Sequence, residues 1–172
     1  MESPENGVTS SEIIPAKADH FVVGFLFSED GESLLLIEKK RPAWQVGYLN
    51  GIGGKIYPGE APVAAMGREC IEEAGVDVEW SEFACVEYGA HFLHFFAARD
   101  GTAFLDARQQ TDEPLARVRY LSVQYPQNIY ELSVIPNLKW LIPLARHHLF
   151  YEKVTLAHVI MTGGGSTIAR KM

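Results

Sequence analysis

One short segment of the chain concentrates acidic side chains at helical spacing. Within residues 60–74, Glu69, Glu72 and Glu73 stand at i, i+3 and i+4, so they would share one face of a helix. Arg68 can reach Glu72 at i+4, but one arginine does not neutralise three carboxylates that repel each other. Glutamate oxygens suit a hard divalent ion such as Mg²⁺ or Mn²⁺, which would offset this charge. The alternative interpretation is a solvated acidic helix face, the usual state of a run of like charges.

Turn-forming and helix-ending residues bracket this acidic segment. The dipeptide Pro58-Gly59 signals a turn. Pro62 is tolerated only in a first helical turn, so the helix is predicted to begin near Glu60 or Ala61. Gly75 is predicted to end it, as glycine commonly does just past a helix. An apolar stripe at intervals of three and four residues should face the core, and it consists of Val63, Met66, Cys70 and Ala74.

The segment from Gly54 to Val76 resembles the Nudix box, Gly-x5-Glu-x7-Arg-Glu-U-x-Glu-Glu-x-Gly-U, in which U is a bulky aliphatic residue. The departure is Cys70 at the first U position, where cysteine serves as a small hydrophobe. The flanking pattern extends the resemblance to most of residues 20–150. The matching positions are Gly54, Glu60, Arg68, Glu69, Glu72, Glu73, Gly75 and Val76.

This resemblance implies a fold and a reaction. The fold is α/β (α+β), with a mixed β-sheet sandwiched between α-helices. The reaction is Mg²⁺-dependent hydrolysis of a nucleoside diphosphate linked to a second moiety, X, by a Nudix pyrophosphohydrolase, with Mn²⁺ as a possible substitute for Mg²⁺. The partner is therefore a small nucleotide, and neither a nucleic acid polymer nor a membrane is expected.

The resemblance also implies a ligand set for the metal ion. In the family, the carbonyl of the residue just before the box is a ligand, and an additional glutamate lies in a loop before a later strand. That glutamate maps onto Glu113, with Asp112 as the competing residue and a simple charged turn as the other interpretation. Glu69 is predicted to act as the base or to orient the attacking water, with Arg68 fixing the local carboxylates. The full ligand set is Gly53, Glu69, Glu72, Glu73 and Glu113.

Three further residues are predicted to contact the substrate. The segment Leu49-Asn-Gly-Ile-Gly-Gly-Lys55 resembles the MutT-like branch, whose members hydrolyse oxidised purine nucleotides such as 8-oxo-dGTP. By that resemblance Asn50 and Asn137 would read the purine, since an amide both donates and accepts hydrogen bonds. Their alternatives are a turn residue for Asn50 and a helix N-cap for Asn137. Lys40 lies in a basic run that is either a positive rim for phosphate or a solvated loop.

Two other functions stay open from the sequence. One is hydrolysis of ADP-ribose or of a dinucleotide. ADP-ribose hydrolases carry a proline a short distance after the box, and residues 90–92 and their neighbours contain none. The other is a catalytically silent Nudix domain that senses a nucleotide. Such domains usually lose box carboxylates, and this chain keeps all of them.

Composition sets outer limits on these hypotheses. A chain of 172 residues with 47% hydrophobic residues suits one globular domain. A net charge of −7 argues against general affinity for nucleic acid backbones or anionic membranes. Cys70 and Cys85 form no disulfide framework, and no apolar run approaches a membrane span or a secretory signal. A cytoplasmic location is therefore expected, while the choice between monomer and homodimer stays open.

The chain is predicted to contain one folded domain, residues 16–161, between a flexible lead-in at 1–15 and a flexible tail at 162–172. Residues 101–110 are predicted to form a loop or a short turn. Apart from the acidic helix, a second helix is predicted at 137–150, where Pro143 is expected to kink it. Strands are predicted at 20–27, 33–38, 76–87, 90–98, 118–123 and 154–161, and the first two are predicted to pair as a hairpin.

Overall fold

A computed structural model of the protein describes residues 18–120, 133–152 and 156–161. The predicted lead-in and tail lie outside these described residues. Within them, seven strands form one mixed sheet. Their bounds are β1 Asp19–Phe27, β2 Ser33–Glu38, β3 Leu49–Asn50, β4 Ser81–Tyr88, β5 His91–Arg99, β6 Leu115–Arg119 and β7 Ala157–Met161.

The centre of the sheet is a parallel pair of long strands. β1 and β5 pair over nine positions, from Asp19 opposite His91 to Phe27 opposite Arg99. The sheet runs β3-β2-β1-β5-β4-β7, and β6 pairs with β2 outside this path. β2 is antiparallel to β1, β3 and β6, which confirms the predicted pairing of 20–27 with 33–38. β4 is antiparallel to β5 and parallel to β7.

Helices cover both faces of this sheet. The helices in the described ranges are α1 Pro62–Ala74, α2 Gly101–Asp106 and α3 Leu138–Phe150, and a short 3-10 turn spans Ala43–Gln45. On the α1 face, the buried residues include Val22, Leu26, Met66, Cys70 and Phe96. On the α3 face they include Phe25, Phe83, Phe95, Leu141 and Ile142. The predicted architecture, a mixed sheet between helices, is confirmed.

Several predicted boundaries were wrong. The strand predicted at 76–87 begins only at Ser81, because residues 76–80 have no ladder partner. The strand predicted at 118–123 begins earlier, at Leu115, since its pairing with β2 starts where Leu115 lies opposite Ile37. Its predicted end at 121–123 lies outside the described residues.

The segment 101–110 also departs from its prediction, because it starts with a helix, α2. Asp100 caps that helix: its carboxylate accepts a hydrogen bond from the N–H of Ala103 at 2.8 Å. The signal was present in the sequence as an aspartate directly before the segment. Among the described residues, no helix combines the length and apolar character needed to cross a bilayer.

Candidate active site

The acidic helix α1 begins and ends where its sequence predicts. Ala61 has an extended backbone, and Pro62 occupies the first helical turn. Gly75 follows the helix with a φ of 71°, in the left-handed region, and its N–H donates to the carbonyl of Ile71. Residues with a Cβ rarely adopt this conformation, so the glycine defines the helix end. These two ends fix which α1 side chains face the sheet.

A glycine-rich segment lies between β1 and the acidic face of α1. On one side, the N–H of Val22 donates to the carbonyl of Gly54 at 2.9 Å. On the other, the N–H of Gly53 donates to Oε2 of Glu73 at 2.9 Å. A Cβ added at Gly54 would lie 2.5 Å from Oε1 of Glu69. The backbone therefore approaches both carboxylates as closely as glycine allows.

Arg68 holds three carboxylates in a partly buried network. Its guanidinium donates to Glu60 at 2.8 and 3.0 Å and to Glu69 at 2.7 Å. The contact with Glu72 is longer, 3.3 Å, and Glu72 is about half exposed. The same guanidinium lies 4.2 Å from the centre of the Tyr57 ring. The hydrogen bonds from Arg68 hold the pKa of the Glu60 carboxyl at about 2.

The Glu73 carboxyl lies in a desolvated environment. Burial raises the pKa of this carboxyl to about 7, against the opposing effects of the Gly53 N–H and the Lys39 ammonium. The neighbouring carboxylates Glu69 and Glu113 raise this pKa further. Glu69 and Glu113 therefore each lie near enough to Glu73 to repel it, although Glu113 comes from a distant part of the chain.

Glu113 is buried, with 4% of its surface exposed, and both of its carboxylate oxygens have donors. The Lys39 Nζ lies 2.5 Å from Oε2, and the N–H of Lys40 donates to Oε1 at 2.8 Å. Burial alone would raise the pKa of this carboxyl, but these donors together hold it below its ordinary value. The competing residue Asp112 is instead exposed and pairs with Arg41 at 2.8 Å.

The backbone before Glu113 is attached to the end of α1. The N–H of Arg108 donates to the carbonyl of Ala74 at 2.9 Å, and the N–H of Gln110 donates to the carbonyl of Glu73 at 3.2 Å. These bonds join the two segments that carry Glu73 and Glu113, so the two side chains are positioned relative to each other.

The donor set of this site fits a hard divalent ion by its chemistry. Glu69, Glu73 and Glu113 offer carboxylate oxygens, and the Gly53–Gly54 backbone lies beside them. In the described part of the chain, no three His, Cys, Asp or Glu side chains converge into a metal cluster. Each of these carboxylates is engaged instead by an N–H donor of the protein. Each carboxylate keeps lone pairs beyond these hydrogen bonds.

The predicted substrate residue Asn50 lies at the end of β3. Its Oδ1 accepts a hydrogen bond from the N–H of Gly51 at 2.8 Å, and its Nδ2 lies 3.4 Å from Oε1 of Gln45. The second contact is long for a hydrogen bond, so this amide N–H₂ has donor capacity left. Gln45 was not predicted, and its contact follows from the 3-10 turn that precedes β3.

Asn137 directly precedes α3 and makes no capping bond with its side chain. Its Oδ1 is buried and has no hydrogen-bond partner among the described residues. The N-cap interpretation is therefore wrong for the side chain. Residues 133–135 pair with the backbone of Leu49, through bonds of 2.6 and 3.0 Å, so α3 starts next to the strand that carries Asn50.

Lys40 is exposed and contacts Glu113 only through its backbone N–H. The neighbouring Lys39 makes the side-chain contact, which sequence reasoning missed. The signal lay in strand pairing: the N–H of Glu38, which ends β2, donates to the carbonyl of Pro114, just before β6. The residues on either side of that bond are therefore adjacent in space.

Solved structures with this fold include several hydrolases. A NUDIX hydrolase from Nitrosomonas europaea is 19% identical, with a TM-score of 0.61 over 85% of this chain and 81% of that one. A structure from a study of MutT from Aliivibrio salmonicida and Vibrio cholerae is 18% identical, with a TM-score of 0.58 over 76% and 98%. A NUDIX-family hydrolase from Clostridium perfringens is 16% identical, with a TM-score of 0.60 over 76% and 97%. At these identities the likeness shows the fold.

The family assignment comes from the sequence itself. No curated protein matches the chain significantly. A family profile described as the NUDIX domain matches residues 19–131, which is more than half of the chain and contains both the acidic helix and Glu113. Members of that family act on small nucleotide substrates and generally use divalent metal ions. The chain belongs to the Nudix family and is a pyrophosphohydrolase.

Proposed function

We propose that the protein hydrolyses an oxidised purine nucleoside triphosphate such as 8-oxo-dGTP to the monophosphate and pyrophosphate, with Mg²⁺ as its cofactor. The family supplies the reaction class. The observation that carries the choice of substrate is the buried Oδ1 of Asn137, which has no hydrogen-bond partner among the described residues. A buried acceptor without a donor costs free energy, and a purine N–H would remove that cost.

The residues that would hold Mg²⁺ are Glu69, Glu72, Glu73 and Glu113, with the carbonyl of Gly53. When bound, the ion supplies positive charge to the oxygens of the diphosphate linkage. Two observations support this set. The glycines let the backbone approach the carboxylates of Glu69 and Glu73, and Glu113 lies close enough to affect Glu73.

Glu69 would take the proton of the attacking water. The water oxygen attacks a phosphorus atom of the diphosphate linkage, and the bond from that phosphorus to the bridging oxygen breaks. Arg68 supports this role because its hydrogen bond, 2.7 Å long, holds the Glu69 carboxylate in one orientation. Glu60 in turn holds Arg68 from the opposite side. No covalent intermediate is needed.

The base would be read by two amides with complementary roles. Oxidation of a purine at C8 converts N7 from an acceptor into an N–H donor, which suits the oxygen of Asn137. The N–H₂ group of Asn50 would donate to an acceptor on the same base. A site that hydrogen-bonds a substrate group discriminates against analogues lacking it, because its own polar atom is then left unpaired.

We also infer a role in cleansing the nucleotide pool and a cytoplasmic location. The substrate would be a damaged precursor of nucleic acid synthesis. Both cysteines, Cys70 and Cys85, are free thiols, as is typical of a reducing compartment.

The first experiment is a substrate panel with Mg²⁺, comparing 8-oxo-dGTP, dGTP, other nucleoside triphosphates, ADP-ribose and dinucleoside polyphosphates. Released pyrophosphate and monophosphate are quantified for each. We expect the highest kcat/KM for 8-oxo-dGTP. Preference for ADP-ribose or a dinucleotide would discard the proposed base pocket. Bound metal without turnover of any compound would favour a nucleotide sensor.

Two variants separate the reaction from the choice of base. Glu72→Gln should lower kcat by more than about 100-fold, because Glu72 is one of the proposed Mg²⁺ ligands. The fold should survive, because the Glu72 side chain is about half exposed. Asn137→Ala should lower kcat/KM for 8-oxo-dGTP by about tenfold and that for dGTP much less. Lys139→Ala, an exposed neighbour on α3, is the matched control. An equal loss for both nucleotides in Asn137→Ala would contradict base reading by this residue.

A further inference from the structure

We propose that Lys39 is an internal counter-ion of the metal site, which holds Glu113 until a divalent ion takes its place. Binding of the ion and release of the Lys39 ammonium would then be a single exchange. This inference rests on the proposed function, because it requires Glu113 to be one of the ligands of the ion.

The ion pair between Lys39 and Glu113 is well enclosed. Their side chains expose 14% and 5% of their surface. Nζ lies 2.5 Å from Oε2, and the N–H of Lys40 takes the other oxygen. Both oxygens of Glu113 are thus occupied by donors of the protein. A divalent ion at Oε2 would lie against the ammonium, which is a like charge, and the ammonium can move away because it stands on a flexible side chain.

The ammonium also acts on a second predicted ligand. The positive charge of Lys39 lowers the pKa of Glu73, while the charge of Glu113 raises it. Lys39 is thus near both carboxylates and offsets their mutual repulsion in the absence of a metal ion. A divalent ion between the same groups would offset that repulsion with twice the charge. It would also make the ammonium a neighbouring like charge.

Backbone pairing keeps this pair together whether or not an ion is bound. Lys39 directly follows β2, and Glu113 lies two residues before β6. The two strands are antiparallel, and their ladder ends with Ile37 opposite Leu115. The exchange therefore needs only a rotation of the Lys39 side chain, with no movement of the sheet.

Chemical labelling of the wild-type protein tests the exchange directly. An amine-acylating reagent is applied with and without Mn²⁺, and modification of each lysine is measured by peptide mass spectrometry. Bound Mn²⁺ is counted by electron paramagnetic resonance. We expect Lys39 to be protected without Mn²⁺ and to react at least about tenfold faster with it. Lys40, whose side chain is exposed, is the internal control. Unchanged protection of Lys39 with Mn²⁺ bound would overturn the proposal.

Variants give a second, independent readout. Lys39→Met removes the competing ammonium and should tighten the Kd for Mn²⁺ by about tenfold. Lys40→Met removes the same charge from the adjacent position and should change the Kd much less. In Glu113→Gln, Lys39 should label rapidly without Mn²⁺ and no longer respond to it. A Kd for Lys39→Met equal to or weaker than that of wild type would contradict the exchange. If Lys39→Met does not fold, the labelling of Lys39 in wild type and in Glu113→Gln is the test of the exchange.

This inference and the proposed function can fail separately. Turnover of a panel substrate together with a protected Lys39 in the Mn²⁺-bound protein would keep the hydrolase and reject the exchange. Release of Lys39 by Mn²⁺ without turnover of any panel compound would keep the exchange and reject the proposed reaction.

Discussion

Arg68 is the residue on which the geometry of the box depends, because one guanidinium serves carboxylates from two sides. Glu60 approaches it from the turn before α1, and Glu69 and Glu72 approach it from α1 itself. The sequence predicted the Glu72 contact from i, i+4 spacing alone. The shorter bonds go to Glu60 and Glu69. Glu60 lies in the turn before α1, and helical spacing does not describe the path of that turn. Helical periodicity gives neighbours on a helix, but not neighbours brought in by a loop.

The acid sensitivity of the Glu60–Arg68 pair is a first prediction. The pKa of Glu60 falls from an ordinary value of 4.5 to about 2 in the fold. Its ionised form therefore stabilises the folded protein fully above pH 4.5, and this contribution is lost as the pH falls toward 2. The free energy of unfolding of Glu60→Gln should be lower than that of wild type at neutral pH. The difference should shrink between pH 4.5 and 2, as measured by urea titrations across that range.

A double-mutant cycle is the control for this pair. In a protein that already carries Arg68→Met, the Glu60→Gln substitution should lose most of its effect on unfolding. If the difference in free energy of unfolding between wild type and Glu60→Gln grew on acidification, ionisation of Glu60 would not stabilise the fold, and the prediction would be wrong.

Two glycines of the box segment are predicted to behave in opposite ways. A Cβ at Gly54 would push the Glu69 carboxylate away, so Gly54→Ala should lower kcat by about 100-fold, the effect of a misplacement of about 1 Å. A Cβ at Gly67 meets no atom within 4 Å, and Gly67 lies inside α1. Gly67→Ala should therefore raise the free energy of unfolding by roughly 0.5–1 kcal/mol and keep turnover.

Steady-state kinetics and urea unfolding of both variants test this contrast. Full activity in Gly54→Ala would show that the Glu69 carboxylate does not need its present position. A Gly67→Ala protein that is less stable than wild type would show an unexpected contact on the exposed side of α1.

At the scale of elements, the sequence predicted α1 closely because its ends carry strong signals. Pro62 and Gly75 act through covalent geometry, which tertiary packing rarely overrides. The buried stripe was predicted less well, since Val63 is 52% exposed and Ala65 is buried in its stead. The spacing of apolar residues does not predict how far the first turn of such a short helix lies from the sheet.

Packing of α1 on the sheet depends on Met66, which yields the next prediction. Met66 is fully buried, and a Cβ at Gly24 of β1 would lie 2.6 Å from its Cε. Met66→Ala should lower the free energy of unfolding by about 2–5 kcal/mol, because it leaves a cavity between helix and strand. Val63→Ala on the same helix should cost less than about 0.5 kcal/mol. The free energies of unfolding are measured by urea titration. Equal losses in the two variants would mean that Val63 is buried, as the apolar stripe predicted.

At the scale of the whole molecule, the hairpin of β1 and β2 could be predicted, but the central pair could not. β1 and β5 pair in parallel across more than sixty intervening residues, and no local pattern indicates that register. The same limit applies to the site. The box shows α1 and its carboxylates, whereas the approach of Lys39 to Glu113 depends on the pairing of β2 with β6. Sequence reasoning finds chemistry that is local in the chain and misses contacts made by long-range pairing.

Native-state hydrogen exchange should show how this architecture divides stability. The amides of residues 23–27 and 95–98 lie in the central pair of strands, which is packed on both faces, so they should exchange only by global unfolding. In the described residues β7 pairs with β4 alone, and Ile160 is 65% exposed, so β7 amides should exchange through local opening. Met66→Ala should therefore lower the protection of the central amides by the full change in unfolding free energy and leave that of β7 nearly unchanged. Equal losses in both groups would mean that β7 unfolds only with the core.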